Sequence, residues 1–167
     1  MEAREFRITD EMLATQGQRF LNYVIDLIIQ YVIIFALGTL FSILSLLTGY
    51  TGILEWIGSM GDLEGYLVFF FIMILYYTLF ESLCSRTIGK FITKTIVVNE
   101  DGSKPDSQII LRRTLCRLIP FDGLSFLGSG RGWHDSITDT YVVDKRLMDE
   151  KMQLLSAFDQ IGKDSEV

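Results

Sequence analysis

Two stretches of the chain carry no charge at all. Leu27 to Leu54 is an uncharged run of 28 residues rich in Ile, Leu, Phe and Val. Gly65 to Phe80 is another of 16, bounded by Glu64 and Glu81. A helix needs about 20 apolar residues to cross a bilayer core. The first run predicts a spanning helix from about Arg19 to about Leu47, with one intruder, Asp26. The second becomes a full span when it is extended to Cys84 and Glu81 is accepted near its end. The pattern therefore predicts an N-terminal segment over 1–18 and a two-span hairpin over 19–84, with an outer loop at about 48–64. The first run far exceeds the apolar core of a cleavable leader, about 7–15 residues, so it is expected to stay as an anchor.

Past Cys84 the texture changes. Phe91 to Asn99 (FITKTIVVN) is rich in β-branched residues and predicts a short strand, and Thr138 to Val143 (TDTYVV) predicts another. The turn residues of Asn99 to Asp106, with Gly102 and Pro105, end the first strand. The two strands are expected to pair as an antiparallel ribbon, which needs a surface to pack on. Between them, Ser107 to Ile119 reads as a basic amphipathic helix. Leu111, Leu115, Leu118 and Ile119 fall on one face and Arg112, Arg113 and Arg117 on the other. That pattern suits a helix lying on anionic lipid head groups; a helix packed on a soluble partner or on the chain's own spans gives the same pattern. Pro120 to Gly132 is apolar enough to dip toward the bilayer but too broken by glycine to cross it. The part over 85–146 thus forms a cytoplasmic or interfacial layer. The tail over 147–167 places Leu147, Leu154, Phe158 and Ile161 near one stripe of an amphipathic helix. The predicted fold class is an α-helical integral membrane protein: two transmembrane helices, a cytoplasmic interfacial amphipathic helix and a short β-ribbon.

Composition agrees with this. Of 167 residues, 49% are hydrophobic and 13% aromatic, and the mean hydropathy is +0.32. A net charge of −6 excludes a broadly basic nucleic-acid binder. The predicted outer loop has no Lys or Arg, whereas 12 of the 15 basic residues come after the second span. By the positive-inside rule both termini then lie in the cytoplasm of a cell bounded by this plasma (inner) membrane. Cys84 and Cys116 fall on the reducing side, where a disulfide is not expected.

Catalytic motifs fail on inspection. Gly89-Lys90 lacks the other residues of a phosphate loop, and the glycines at 128, 130 and 132 lack the dinucleotide pattern. His134-Asp135-Ser136 has triad residue types, but neighbours in sequence cannot adopt triad geometry. No cofactor and no metal set is indicated, and the chain reads as a non-enzyme. The informative residue is Asp26. An acid inside a span costs about 2.5–3.5 kcal/mol on insertion scales. Arg19 lies two helical turns before it on nearly the same face, about 10 Å away in rise, so a third group is expected between them. Glu81 or a residue folded up from the cytoplasmic layer can fill that place. Asp26 reads either as part of a buried polar network or as a cation or proton site.

These residues resemble the RDD family of bacterial membrane proteins, named for one Arg and two Asp. The resemblance runs over about 14–146. It rests on Arg19-Phe-Leu-Asn-Tyr-Val-Ile-Asp26, then Thr87-Ile88-Gly89-Lys90, Thr95 to Val98 and Asp101-Gly102. The arginine-bearing helix comes next, and Trp133-His134-Asp135 leads to Thr140-Tyr141-Val142-Val143. His134 replaces the usual Gly of that last element. The resemblance implies a motif of Arg19, Asp26 and Asp135, supported by Glu81, Lys90, Arg112, Arg113 and Arg117, and it implies transport with ion exchange in some members. Two functions are consistent with this. One is a small scaffold or accessory subunit of a membrane complex, bound to a larger membrane protein. The other is a homo-oligomeric ion or small-solute transporter using Asp26, since two spans enclose no pathway alone. In both, the bilayer is a partner, with Arg112, Arg113 and Arg117 meeting anionic head groups.

Overall fold

The computed structural model describes residues 6–164. A 3-10 turn, Asp10–Met12, leads into the first long helix, α1 (Gln16–Thr48). A short helix α2 (Gly52–Ser59) and the second long helix α3 (Asp62–Cys84) complete a hairpin. Then come α4 (Ile88–Ile92), β1 (Thr95–Asn99), α5 (Ser107–Cys116), α6 (Phe126–Ser129), α7 (Trp133–Ile137), β2 (Thr140–Asp144) and α8 (Lys145–Asp164).

The ends of α1 are set by local chemistry. The Thr15 side chain accepts from Gln18 N while Gln18 Oε1 accepts from Thr15 N, a reciprocal cap worth about 1 kcal/mol. At the far end Gly49 adopts φ 72°, the left-handed stop that glycine takes without strain. With 33 residues α1 is about 50 Å long, more than a bilayer core requires. Its surplus turns reach down into the cap formed by the second half of the chain.

The first long helix is inside out by the standard of a water-soluble protein, and the second buries Glu81 beside a small cluster of Met73, Tyr76 and Tyr77. The buried residues of α1 are Arg19, Asn22, Asp26 and Gln30, and those of α3 are Met73, Tyr76, Tyr77 and Glu81. Apolar residues such as Phe35, Leu46, Phe71 and Leu79 face outward. Core helices of soluble proteins bury their apolar stripe instead. Two helices are therefore long and apolar enough to cross a membrane, and their exposed apolar faces match a lipid surround. The connection between the two long helices, expected as an outer loop, contains α2, with Trp56 exposed.

β1 and β2 pair antiparallel with Val97 opposite Val142. Phe91 and Ile92, expected in the strand, instead close α4, because the Thr87 side chain accepts from Lys90 N and starts a helical turn there. The ribbon finds the support it needs. Ala14 N donates to Val142 O, Leu13 bridges to Val143, and Met12, Val98, Val143 and Met148 form a small core. The segment before α1 thus acts as a third edge on the ribbon. Hydrogen bonds then pin the ribbon to the base of α1. Asn22 Nδ2 donates to Thr95 Oγ1, Thr93 Oγ1 donates to Asn22 Oδ1, and Gln18 Nε2 donates to Asp144 Oδ2.

α5 packs on α3 and α7, with Ile110, Arg113 and Thr114 buried. Its leucine face is the exposed one, Leu111 and Leu115 included. The expectation that Arg112, Arg113 and Arg117 together meet head groups is corrected. Only Arg112 is exposed, while Arg113 is fully buried and Arg117 nearly so. Residues 120–132 fold as a 3-10 turn, Asp122–Leu124, and α6. In α8, Met148 docks into the small core while Leu154 and Phe158 stay exposed; the side chain of Ile161 falls outside the described residues.

Candidate functional site

Where the hairpin meets the cap, charged side chains from five elements converge. Glu81, from the last turn of α3, is fully buried. Its Oε1 accepts from Lys90 Nζ of α4 at 2.5 Å and lies 3.4 Å from Arg117 Nη2; its Oε2 lies 3.1 Å from Arg113 Nε of α5. Asp135, the third residue of α7, is equally buried. Its Oδ2 accepts from Arg19 Nη1 of α1 at 2.5 Å, and its Oδ1 stands 2.6 Å from Arg113 Nη1. Arg113 therefore bridges a carboxylate of the hairpin, Glu81, and one of the cap, Asp135, and its Nη1 also donates to Thr140 Oγ1 at 2.7 Å. Arg117 completes the cluster by lying over the Tyr77 ring, 4.1 Å from its centroid.

Each side chain is delivered by a local reason. α7 starts at Gly132, whose N–H donates weakly to Asp135 Oδ2 at 3.4 Å, so the acid sits in the first turn where a helix favours negative charge. Arg131 Nη2 donates to the carbonyls of Asp135 and Thr140 and holds the α7–β2 connection closed. Burial alone opposes ionisation of Asp135, but the surrounding charges, Arg113 foremost, hold its carboxyl well below the usual range.

Asp26 stands apart from the ion pairs. Its Oδ1 accepts from Tyr76 Oη at 2.7 Å and from Gly89 N at 2.9 Å. The third group expected between Arg19 and Asp26 is thus not a single bridging side chain. Arg19 turns to Asp135, and Asp26 is capped by α3 and by the backbone of α4. Only glycine fits at 89, because an added Cβ would stand 2.7 Å from Asn22 O and 2.9 Å from Asp26 Oδ1. Gly89 and Lys90, the residues that fail as a phosphate loop, are accordingly the hinge plate of the node: one bonds Asp26, the next bonds Glu81.

His134 is buried against Asp122. Its backbone N–H and its Nδ1 both bond the Asp122 carboxylate, at 2.9 Å and 2.6 Å. Burial and the nearby Arg117 push the imidazole down to about 4, so the ring is neutral at pH 7 and Nδ1–H donates to Asp122. Among the anticipated residues, Arg19, Glu81, Lys90, Arg113, Arg117 and Asp135 meet directly, Asp26 joins through Tyr76 and Gly89, and Arg112 does not take part. Asn22, Tyr76 and Asp122 went unanticipated, and Thr140 entered only as a residue of the resemblance. The recurrence of polar residues at 19, 22, 26 and 30, one face of a helix, is the signal that would have found Asn22.

The arrangement can do two things physically. It can lock two membrane helices to a cap, and it can hold a small polar guest. A cavity of about 40 Å³ opens within it, with Arg19, Asp26, Lys90, Arg113 and Arg117 on its wall. Comparison with curated proteins and with solved structures finds no match. The family model of the RDD family matches residues 13–155, a span that contains every member of this node, and the chain, with two helices long and apolar enough to cross a membrane, belongs to that family.

Proposed function

We propose that this chain is a small, non-catalytic scaffold or accessory subunit of a membrane complex. In this reading the polar node is a weld that fixes the cap beneath the helix hairpin. The observation that carries it is Arg113, fully buried and shared between Glu81 of α3 and Asp135 of α7. A group that must bind and release a cation needs surroundings without competing positive charge. Four cationic side chains instead share the cavity wall with Asp26, and its Oδ1 already accepts two hydrogen bonds. That disfavours the alternative of a homo-oligomeric cation or proton exchanger built on Asp26. His134 fits no catalytic role in this reading, because Nε2, the ring nitrogen left after Asp122, faces Asp135 at 3.6 Å rather than a nucleophile.

The charge distribution supports a plasma (inner) membrane location with both termini cytoplasmic. The exposed leucine face of α5 then lies against the bilayer surface, and Arg112 is the guanidinium left for anionic head groups. The tail offers a docking element, since Leu154 and Phe158 are 57% and 61% exposed.

The test is the native mass of the complex extracted in mild detergent at natural abundance. The reading expects co-migration with one larger membrane protein, released by Leu154→Glu with Phe158→Glu while the isolated chain keeps its thermal stability. A homo-oligomer whose proteoliposomes carry a cation flux abolished by Asp26→Asn overturns it.

A further inference from the structure

We propose that the cavity inside the polar node binds one small monovalent inorganic anion, of which chloride is the abundant example. Three observations carry the assignment. The wall charges are unequal: Arg19, Lys90, Arg113 and Arg117 face one carboxylate, Asp26. Glu81 and Asp135, which balance the arginines, bond them without lining the cavity. Buried donors are left over: Arg19 Nε and Nη2, Arg113 Nη2 and Arg117 Nε have no hydrogen-bond partner among the described residues, while the acceptors Glu81 Oε2 and Asp135 Oδ1 lie within ion-pair distance of Arg113. Arg19 is 5% exposed and Arg113 0%, so bulk water does not reach them. An unsatisfied buried donor on a charged group is costly, by about 1–3 kcal/mol or more, and buried polar groups are as a rule satisfied. The space is also limited. About 40 Å³ holds a single ion or roughly three waters, at about 10–15 Å³ for each water on this measure.

The three arginines that carry these donors all line one small cavity, and their positive charge favours an anion there over water. The cavity adjoins a groove of about 410 Å³ between α1, α3 and residues 117–124, since Tyr23, Tyr77, Arg117 and Gly123 line both. Anion binding does not depend on whether the chain joins a larger assembly, because every ligating group comes from the chain itself.

The experiment uses the full chain in mild detergent, exchanged into sodium gluconate. Chloride or bromide replaces gluconate at constant ionic strength while the thermal midpoint is followed. The expected result is a saturating rise in Tm with either halide and none with gluconate alone. Arg19→Lys keeps the charge beside Asp135 but removes the Nε and Nη2 donors, and it should raise the half-saturating halide concentration about tenfold or more. Arg112→Ala, at an exposed guanidinium, should leave it unchanged. A response that does not saturate, that is equal in all salts, or that is identical in Arg19→Lys and the unaltered chain overturns the proposal. If Arg19→Lys does not fold, crystals of the unaltered chain grown in bromide decide. An anomalous peak among Arg19, Arg113 and Arg117 supports the site, and water density alone at saturating bromide overturns it.

Discussion

Arg19 and Asp135, 116 residues apart in sequence, meet at 2.5 Å with both side chains almost wholly withdrawn from solvent. The pair ties the first turn of the first membrane helix to a five-residue helix near the end of the cap. An isolated buried pair seldom repays the cost of desolvating both ions. This one is embedded among further partners, because Asp135 also faces Arg113 and accepts from Gly132 N. Its role is therefore better described as fixing one geometry than as adding stability. Few other arrangements of the cap under the hairpin satisfy Arg19, Arg113, Glu81 and Asp135 together.

Removing Arg113 should be the most damaging single change. Arg113→Leu leaves Glu81 and Asp135 buried with one cation fewer each. Breaking a buried pair from one side costs about 3–5 kcal/mol. Arg112→Ala, one residue away and exposed, should change stability by less than about 0.5 kcal/mol. Thermal unfolding of the two variants in the same detergent checks the contrast. Equal effects would mean that Arg113 does not bridge the carboxylates.

Gly89→Ala tests the close contact of α4 on α1. The new Cβ would stand 2.7 Å from a backbone carbonyl, Asn22 O, which has no rotamer to escape into. Overpacking of this kind costs about 1–3 kcal/mol. The same shift would lengthen the hydrogen bond from Gly89 N to Asp26. A lower Tm is expected. Gly128→Ala, where a Cβ meets nothing within 4 Å, should by comparison be benign.

How much of this was legible from residues alone is seen by comparing α1 with α5. The spans, the ribbon, the tail helix and the Arg19, Asp26 and Asp135 positions come from hydropathy and motif, because long apolar runs and fixed local spacings survive without tertiary information. The facing of α5 does not. Leu111 and Leu115 on one side and Arg113 on the other is the pattern of a helix with its apolar face inward, but here the leucines face out and Arg113 goes in. The usual rule assumes an apolar interior, and the interior here holds the carboxylates of Glu81 and Asp135 that Arg113 meets. The partner of Asp26 was equally hidden. A backbone N–H on α4 and a tyrosine on α3, 63 and 50 residues away, carry no signature in the sequence around Asp26.

Asp26 and Tyr76 should be energetically coupled. Tyr76 Oη donates to Asp26 Oδ1 and also accepts from Ile88 N at 3.2 Å, so it links α1, α3 and the start of α4. Tyr76→Phe removes both bonds, and Asp26→Asn keeps the shape but loses the charge. A double-mutant cycle on thermal stability should give an interaction of about 0.5–3 kcal/mol, the range for residues in one hydrogen-bonded network. Purely additive effects would mean that the hydrogen bond contributes nothing.

Stability should also depend on pH through His134. The imidazole faces Asp122 through Nδ1 and Asp135 through Nε2, with Arg113 and Arg117 close by. Burial comes first among the causes, and the arginines add to it, so the folded chain holds the ring neutral down to about pH 4. In the unfolded chain an ordinary histidine takes up its proton near 6.5. Between those limits the unfolded state binds more protons, so stability rises with pH. The contribution is complete above about pH 6.5 and is lost as the pH falls toward 4. Each tenfold difference in proton affinity is worth about 1.4 kcal/mol, which makes the full effect about 3 kcal/mol. Asp135, with its carboxyl held below the usual range, adds its own loss only at still lower pH, as protonation of the unfolded chain begins near 4. Tm measured from pH 7.5 to 4.5 should fall steadily in the unaltered chain. His134→Asn keeps a donor for Asp122 but has nothing to titrate there, so its profile should start lower and run nearly flat over the same window. A slope that survives the substitution would place the titrating group elsewhere.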